Sequence, residues 1–347
     1  MTESIYSLTK AQERLLPLLN GAMITQVVAV AVRLELANAI AEEGTHVDVL
    51  AEGCDLPPAR LTRLMRALVG LGLCTEPEPG RFGLTEVGSL LRTDNPDSLR
   101  DYAKLIVAPT THEYWAQLET SLRTGRAGVE LVTGKSVFEV IADDPEVAAT
   151  FNEGMGYVTK ETAKLLPEYY DFSRFRTVAD IGGRGGILIS TVLAACPHLK
   201  GILFDTVEGI SQANKIVGAA GVSRRCTITS GSFFDAVPAG AELYMIKSVL
   251  HDWDDDDAIT ILRRCREVIP ADGRLLIIDP VLTATSASAN FAMHPYLVDL
   301  HQLIVAGGKE RTRAEWEHLC AEAQFELLEV RTLPAHLDVS LIEAKPA

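Results

Sequence analysis

The chain has 347 residues, 47% of them hydrophobic and 23% charged, with a net charge of −15 at pH 7. That length suits two domains, and the composition is that of a globular chain with ample core. The negative balance argues against a nucleic-acid partner, because phosphate binding needs clustered Lys and Arg.

Six cysteines are scattered along the chain, at Cys54, Cys74, Cys196, Cys226, Cys265 and Cys320. None forms a CxxC pair or a Cys/His cluster with metal spacing, so no metal is expected. Buried free thiols in a reducing cytoplasm are the expectation. The N-terminal MTESIYSLTKAQERLL lacks a basic segment followed by an apolar one and does not read as a secretory signal. The apolar stretch from Ala22 to Val32 is shorter than the roughly 20 residues of a membrane span and runs into Arg33 and Glu35. It reads as a buried helix, with no membrane partner.

From the N-terminus the pattern is helical. An apolar run begins at Leu15 and reaches Ile40, and Gly44 ends it. Val47 to Ala51 opens a short helix. Prolines 57 and 58 start a second, from Ala59 to Leu71, with a stripe at Leu61, Leu64, Met65, Leu68 and Leu71. Leu73 to Thr75 and Arg81 to Thr85, around a turn at Pro77 to Gly80, read as a hairpin. Helix, turn, helix, hairpin is a winged-helix pattern. Arg60, Arg63 and Arg66 share one side of its second helix, as a DNA-reading face or as a solvated or interface face. The acidic balance favours the latter. Asp144-Pro145 then opens a helix running to Leu166, where Pro167 is expected to stop it.

After about Phe172 strands and helices alternate. Strands are expected at 177–181, 201–204, 226–230, 243–247 and 274–278, with helices at 188–195 and 258–269. Such alternation implies a parallel sheet covered on both faces. Segments 325–332 and 339–344 can close it as an antiparallel pair.

Several motifs sit at strand ends. Asp180-Ile-Gly-Gly-Arg-Gly-Gly186 lies between a strand and a helix, the context of a nucleotide-binding glycine loop. Asp205 ends the next strand, where an acid accepts hydrogen bonds from a ribose diol or simply caps a turn. Together they favour an adenosine cofactor. Lys247-Ser-Val-Leu-His251-Asp-Trp253 leaves another strand. His251 suits a general base because imidazole titrates near neutrality, and the alternative is a structural histidine. The acidic run Asp254 to Asp257 reads as a helix start rather than a metal site. Gly307-Gly-Lys-Glu310-Arg-Thr312 and the strand-end Asp279 supply carboxylates able to fix the His251 tautomer. Asp299 and His301 lie just upstream.

This ordered set resembles the caffeic-acid-type O-methyltransferases, closest to the bacterial branch that tailors polyketides and other secondary metabolites. The likeness extends to Phe82-Gly-Leu-Thr85, Ser98-Leu-Arg100 and Phe151-Asn-Glu-Gly-Met155. It implies an α/β fold: a Rossmann-like class I methyltransferase domain (171–347) preceded by an all-α winged-helix-like dimerisation domain (1–105), with a helical substrate-pocket region (106–170) between. It implies S-adenosyl-L-methionine as cofactor, a small aromatic or polyketide substrate and a homodimer. By resemblance, His251 deprotonates the acceptor hydroxyl and Glu310 orients it, with Asp279 standing where the family usually has Glu. The cofactor residues carried over are Asp180, Gly182, Gly183, Arg184, Gly186, Asp205, Ser232, Phe233 and Lys247. The substrate residues are Trp115, Asn152, Met155, Tyr157 and His301.

Two departures bear on cofactor binding. Arg184 replaces the central glycine of the family's loop, and Ser232 replaces an aspartate on the adenine side. They imply weakened or lost cofactor binding, and with it a second reading: a methyltransferase scaffold turned to cyclisation, hydroxylation or decarboxylation. The alternative is that Gly183 and Gly185 make the turn and Arg184 faces solvent.

Overall fold

A computed structural model describes residues 8–283, 295–334, 337 and 339–347. The chain divides into two compact units, Met1–His112 and Glu113–Ala347.

The first unit holds α1 (Lys10–Leu19), α2 (Gly21–Arg33), α3 (Leu36–Ala39), β1 (Thr45–His46), α4 (Val47–Gly53), α5 (Pro58–Gly70), β2 (Cys74–Glu78), β3 (Arg81–Leu84), α6 (Glu86–Ser89) and α7 (Arg100–Ile106). Pro57 and Pro58 start α5, as their fixed φ and missing N–H allow. Its Leu61, Met65 and Leu68 face one core with Leu50 and Phe82. The winged-helix pattern holds, and the wing gains a strand: β1 pairs with β3 in a three-stranded sheet, so the unit is helical but not wholly so. Arg60, Arg63 and Arg66 are exposed, and Arg66 is paired with Glu76 at 3.0 Å.

The expected burial of Ala22 to Val32 is half met. Ala29, Ala31 and Val32 are buried, but Ala22, Met23 and Ile24 are exposed, as are Leu15, Leu18 and Leu19 on α1. Among the described residues nothing covers this apolar face. Among the described residues no single helix is long and apolar enough to cross a membrane. The α1–α2 pair, bent by 50°, passes the same test by length and composition.

Next come α8 (Pro109–Trp115), α9 (Leu118–Thr124), α10 (Gly128–Thr133), α11 (Val137–Asp143) and α12 (Pro145–Tyr169). Pro167 does not stop α12, which continues to Tyr169. A proline in the last turn removes one N–H while its φ remains helical, and Tyr170 N–H still closes the end on the Leu166 carbonyl.

The alternating region follows: β4 (Thr177–Ile181), α13 (Ile187–Ala195), β5 (Lys200–Asp205), α14 (Ala213–Ala219), β6 (Cys226–Ser230), β7 (Leu243–Lys247), α15 (Asp255–Val268), β8 (Arg274–Asp279), β9 (Val281–Leu282), α16 (Pro295–Val305), β10 (Arg311–Thr312), α17 (Arg313–Glu322), β11 (Phe325–Thr332) and β12 (Ser340–Pro346). The main sheet has the order β11-β12-β8-β7-β4-β5-β6. The five strands from β8 to β6 are parallel, and β12 and β11 close the edge antiparallel.

Residues alternate between the two faces. On β7, Leu243 and Met245 join one core, and Tyr244 and Ile246 the other. Each such fully buried side chain stabilises the unit by about 1.5–3 kcal/mol. Strand order reverses between β4 and β7, so the crevice beyond their carboxyl ends is where a ligand fits. The acidic run starts α15: Asp254 accepts the Asp257 N–H at 3.0 Å, and Asp255 to Asp257 form the first turn, where negative charge is favourable. The six cysteines are free; Cys74, Cys265 and Cys320 are buried, whereas Cys54, Cys196 and Cys226 are only partly so.

Candidate active site

The loop after β4 is shaped by backbone conformation. Gly182 and Gly186 have φ of +73° and +80°, and Arg184 between them has +49°. Gly183 and Gly185 are not among the positive-φ glycines, so they do not supply the turn. A left-handed arginine costs about 1–2 kcal/mol. A Cβ on Gly182 would stand 2.5 Å from the Val249 side chain just past β7, so the loop packs this closely there only with glycine. Asp205, at the tip of β5, accepts the Arg184 N–H at 2.8 Å and the Thr206 N–H at 2.6 Å.

A cavity of about 250 Å³ opens over this loop. Gly182, Arg184, Asp205, Ser232 and Phe233 line it, and Asn152 of α12 does too. At its aromatic end Trp253 stacks on Phe138 of α11 at 4.9 Å and meets Phe233 edge-on at 6.1 Å. Arg184 does not face open solvent. Its guanidinium lies 4.4 Å over the Phe151 ring, and Nη1 is 3.4 Å from Asn152 Oδ1. Burial lowers its pKa, against Asp205 and Asp252.

The other expected cofactor residues lie beneath the cavity rather than on its wall. Asp180 is buried and accepts the Ile189 N–H at 3.3 Å, tying β4 to α13. A Cβ on Gly183 would press on Leu203 and Asp180, and one on Gly186 on Leu203. Lys247 is buried with Nζ 2.9 Å from Ser248 Oγ. Burial lowers its pKa to about 8, opposed by Asp279 and Asp180.

His251 sits on a single 3-10 turn, Leu250–Asp252, just past β7. It is buried, and its Nδ1 is 2.8 Å from Glu310 Oε1. Several contacts fix this turn. Arg311, wholly buried, donates to the Leu250 carbonyl at 2.8 Å, to the Trp253 carbonyl at 2.8 Å and to Asp255 at 2.9 Å. Gly308 lets the next strand of chain pass: a Cβ there would stand 2.0 Å from the His251 carbonyl. Asp299 accepts the Glu310 N–H at 2.8 Å.

Charge is concentrated here. Burial opposes a charged His251, yet Asp279, Glu310 and Asp252 together raise its pKa to about 10. Burial pushes Asp279 up to about 7, with His251 acting against it. Asp279 does not reach the imidazole in the way Glu310 does. Its Oδ1 accepts the Ser248 N–H at 2.8 Å, and Oδ2 is buried without a partner among the described residues. Ser248 itself holds φ of +51°, a second strained residue at a strand tip.

Trp115 and His301 form a pair. Their rings stack at 6.1 Å, and Trp115 Nε1–H donates to His301 Nδ1 at 3.3 Å. A donor at Nδ1 fixes the neutral Nε2–H tautomer, in keeping with burial, which lowers the His301 pKa to about 4. Met155 and Tyr157 are half-buried on α12, one turn beyond Asn152. Sequence reasoning missed Gln302, whose Nε2 is 3.3 Å and 3.4 Å from the two His251 ring nitrogens. It also missed Arg311 and Phe138. Arg311 stood in the Gly-Gly-Lys-Glu-Arg-Thr motif, and its type signalled a planar donor for several carbonyls. Gln302 and Phe138 carried no local signal.

A profile of the O-methyltransferase domain matches residues 115–326, and one of the O-methyltransferase dimerisation domain matches residues 16–94. The chain is similar to O-demethylpuromycin-O-methyltransferase of Streptomyces alboniger, 39% identical over 97% of this chain and 89% of that one. It is 37% identical to phenazine O-methyltransferase of Lysobacter antibioticus, over 96% of this chain and 95% of the relative. A solved O-methyltransferase from neocarzinostatin biosynthesis, in complex with S-adenosylmethionine and 2-hydroxy-5-methyl naphthoic acid, matches with a TM-score of 0.81 at 32% identity, covering 93% of this chain and 96% of that one. With its class I methyltransferase fold behind a dimerisation domain, the chain belongs to the O-methyltransferase family.

Proposed function

We propose that the protein transfers a methyl group from S-adenosylmethionine to a phenolic or enolic hydroxyl of an aromatic or polyketide-type metabolite, with His251 as general base. The observation that carries this is the buried His251–Glu310 pair at 2.8 Å, on a turn whose neighbours Val249, Asp252 and Trp253 line the cavity.

The cavity suits the cofactor in its donor set. Asp205 offers a carboxylate for a ribose diol at a strand tip. Phe233 and Trp253 offer apolar ring surface for a base, and Gly182 adds no side chain at its own place on the cavity wall. Arg184 leans onto Phe151 rather than closing the cavity, which supports methyl transfer over a repurposed scaffold. When bound, the cofactor supplies an activated methyl carbon on a sulfonium that leaves as a neutral thioether.

The chain's own residues handle the proton. Glu310 holds the Nδ1–H and leaves Nε2 to take up the acceptor's proton, as in other oriented histidines. Asp279, Glu310 and Asp252 together raise the His251 pKa against burial, which makes the imidazole a stronger base toward a phenolic hydroxyl. Asp279 acts through charge, helping to stabilise the imidazolium. Lys247 and Asp180 brace the strand tips. Neutral His301, held by Trp115, offers its Nε2–H to an acceptor's oxygen, and Asn152, Met155 and Tyr157 contribute from α12. The exposed apolar faces of α1 and α2 pair with a second copy, as a dimerisation domain implies.

The test uses methyl-labelled S-adenosylmethionine with a panel of aromatic hydroxyl compounds, alongside calorimetry for the cofactor. Label transferred to oxygen is the expected outcome. Absence of both transfer and cofactor binding would end this reading.

A further inference from the structure

Arg184 forms no direct ion pair among the described residues; Asp205 and Asp252 act on its guanidinium only through charge. It has an aromatic face at 4.4 Å and a single side-chain acceptor, Asn152 Oδ1, at 3.4 Å. Five N–H donors on a planar fork are thus served by one long hydrogen bond. The backbone beneath is held in the left-handed region at φ +49°, and the side chain lines the cavity. A half-buried guanidinium whose donors are mostly unserved favours an anion closer than Asp205 and Asp252.

The chemistry of the bound ligand says which anion. This step rests on the S-adenosylmethionine reading above. Adenine and ribose are neutral at pH 7, and the sulfonium and the ammonium are cations. The one group on that molecule able to pair with a guanidinium is the α-carboxylate of its amino-acid part. A guanidinium matches a carboxylate in shape and can bind it with two parallel N–H donors. Asp205, placed for the ribose, already holds the Arg184 N–H at 2.8 Å, so ribose ligand and guanidinium are anchored to one another through the loop.

We propose that Arg184, where the family carries glycine, is the receptor for the α-carboxylate of the S-adenosyl ligand, and that this chain thereby selects ligands bearing that anion. The residue that looked like an obstacle in the sequence is a specificity determinant. The cation–π contact with Phe151 parks the guanidinium beside the cavity in the ligand-free protein.

Calorimetry on the full chain tests this with S-adenosylmethionine, S-adenosylhomocysteine and decarboxylated S-adenosylmethionine, which keeps the sulfonium and ammonium and lacks only the carboxylate. The wild type should prefer S-adenosylmethionine over its decarboxylated form by about 10- to 100-fold, the range of a charge-assisted hydrogen bond. Arg184→Gly, which also relieves the backbone, should shrink that preference to under about 3-fold. Arg184→Lys should keep part of it, and carries the test if the glycine variant unfolds on thermal melting. Full preference retained in Arg184→Gly, or none in the wild type, overturns the proposal. Binding of all three ligands without discrimination sinks only this inference. Failure of every S-adenosyl ligand to bind, with 5′-AMP binding instead, sinks the methyltransferase reading and this inference together.

Discussion

The loop after β4 and the turn after β7 stand side by side at the tips of neighbouring strands, and they are built in opposite ways. The first is made by backbone: two glycines and an arginine at positive φ, with a strand-tip carboxylate tied to an N–H. The second is made by buried side chains: Glu310 on the imidazole, Arg311 on the flanking carbonyls and Gln302 beside the ring. A backbone site tolerates an unusual side chain at the expense of local strain, as Arg184 demonstrates. A site of buried charges does not, because each partner lost leaves another polar group unsatisfied.

That contrast is broken most sharply at His251. His251→Ala should lower kcat by about 10²–10⁴-fold while cofactor affinity, read by calorimetry, stays near the wild-type value. A loss of cofactor binding in step with kcat would mean that the two halves are one site rather than two.

Arg311→Met comes next. The Leu250 and Trp253 carbonyls would lose their donor, and Asp255 one partner. Urea unfolding should show about 3–5 kcal/mol of lost stability, the range for breaking a buried ionic cluster. A loss below about 1 kcal/mol would show that the turn needs no such anchor.

Glu310→Gln sharpens the comparison through pH. Glu310 raises the His251 pKa, so removing its charge lowers it. The free-enzyme His251 must be neutral to accept a proton, and kcat/KM therefore rises with pH toward about 10. In the variant this rising limb should move to lower pH, and the plateau should fall by about 10- to 100-fold as the ring loses its charged partner. A limb that stays in place would assign the titration to another group. Asp279 would then be the first to examine.

The smallest effect is expected at Trp115→Phe. The ring stack survives, but the hydrogen bond to His301 Nδ1 goes, freeing the other tautomer. Acceptor KM should rise about 2- to 10-fold with kcat nearly unchanged. An equal fall in kcat would give His301 a part in the chemistry.

Much of this protein was legible in the residue order. Strand and helix alternation after Phe172, the glycine loop, the strand-tip Asp205 and the His251 motif are local patterns of period, turn chemistry and spacing, so a single segment of chain suffices to read each. The acidic run was read as the helix start it is for the same reason. Tertiary structure decided what depends on approach between distant segments. It made the Glu310 carboxylate, rather than that of Asp279, the one on the imidazole. It turned Arg184 onto Phe151 instead of into solvent, and made Gly308 necessary because the His251 carbonyl passes beside it. It also left Ala22 to Ile24 uncovered, where hydrophobicity alone had suggested burial. Apolar character records only that a surface avoids water; which chain covers it is set by what folds or assembles against it.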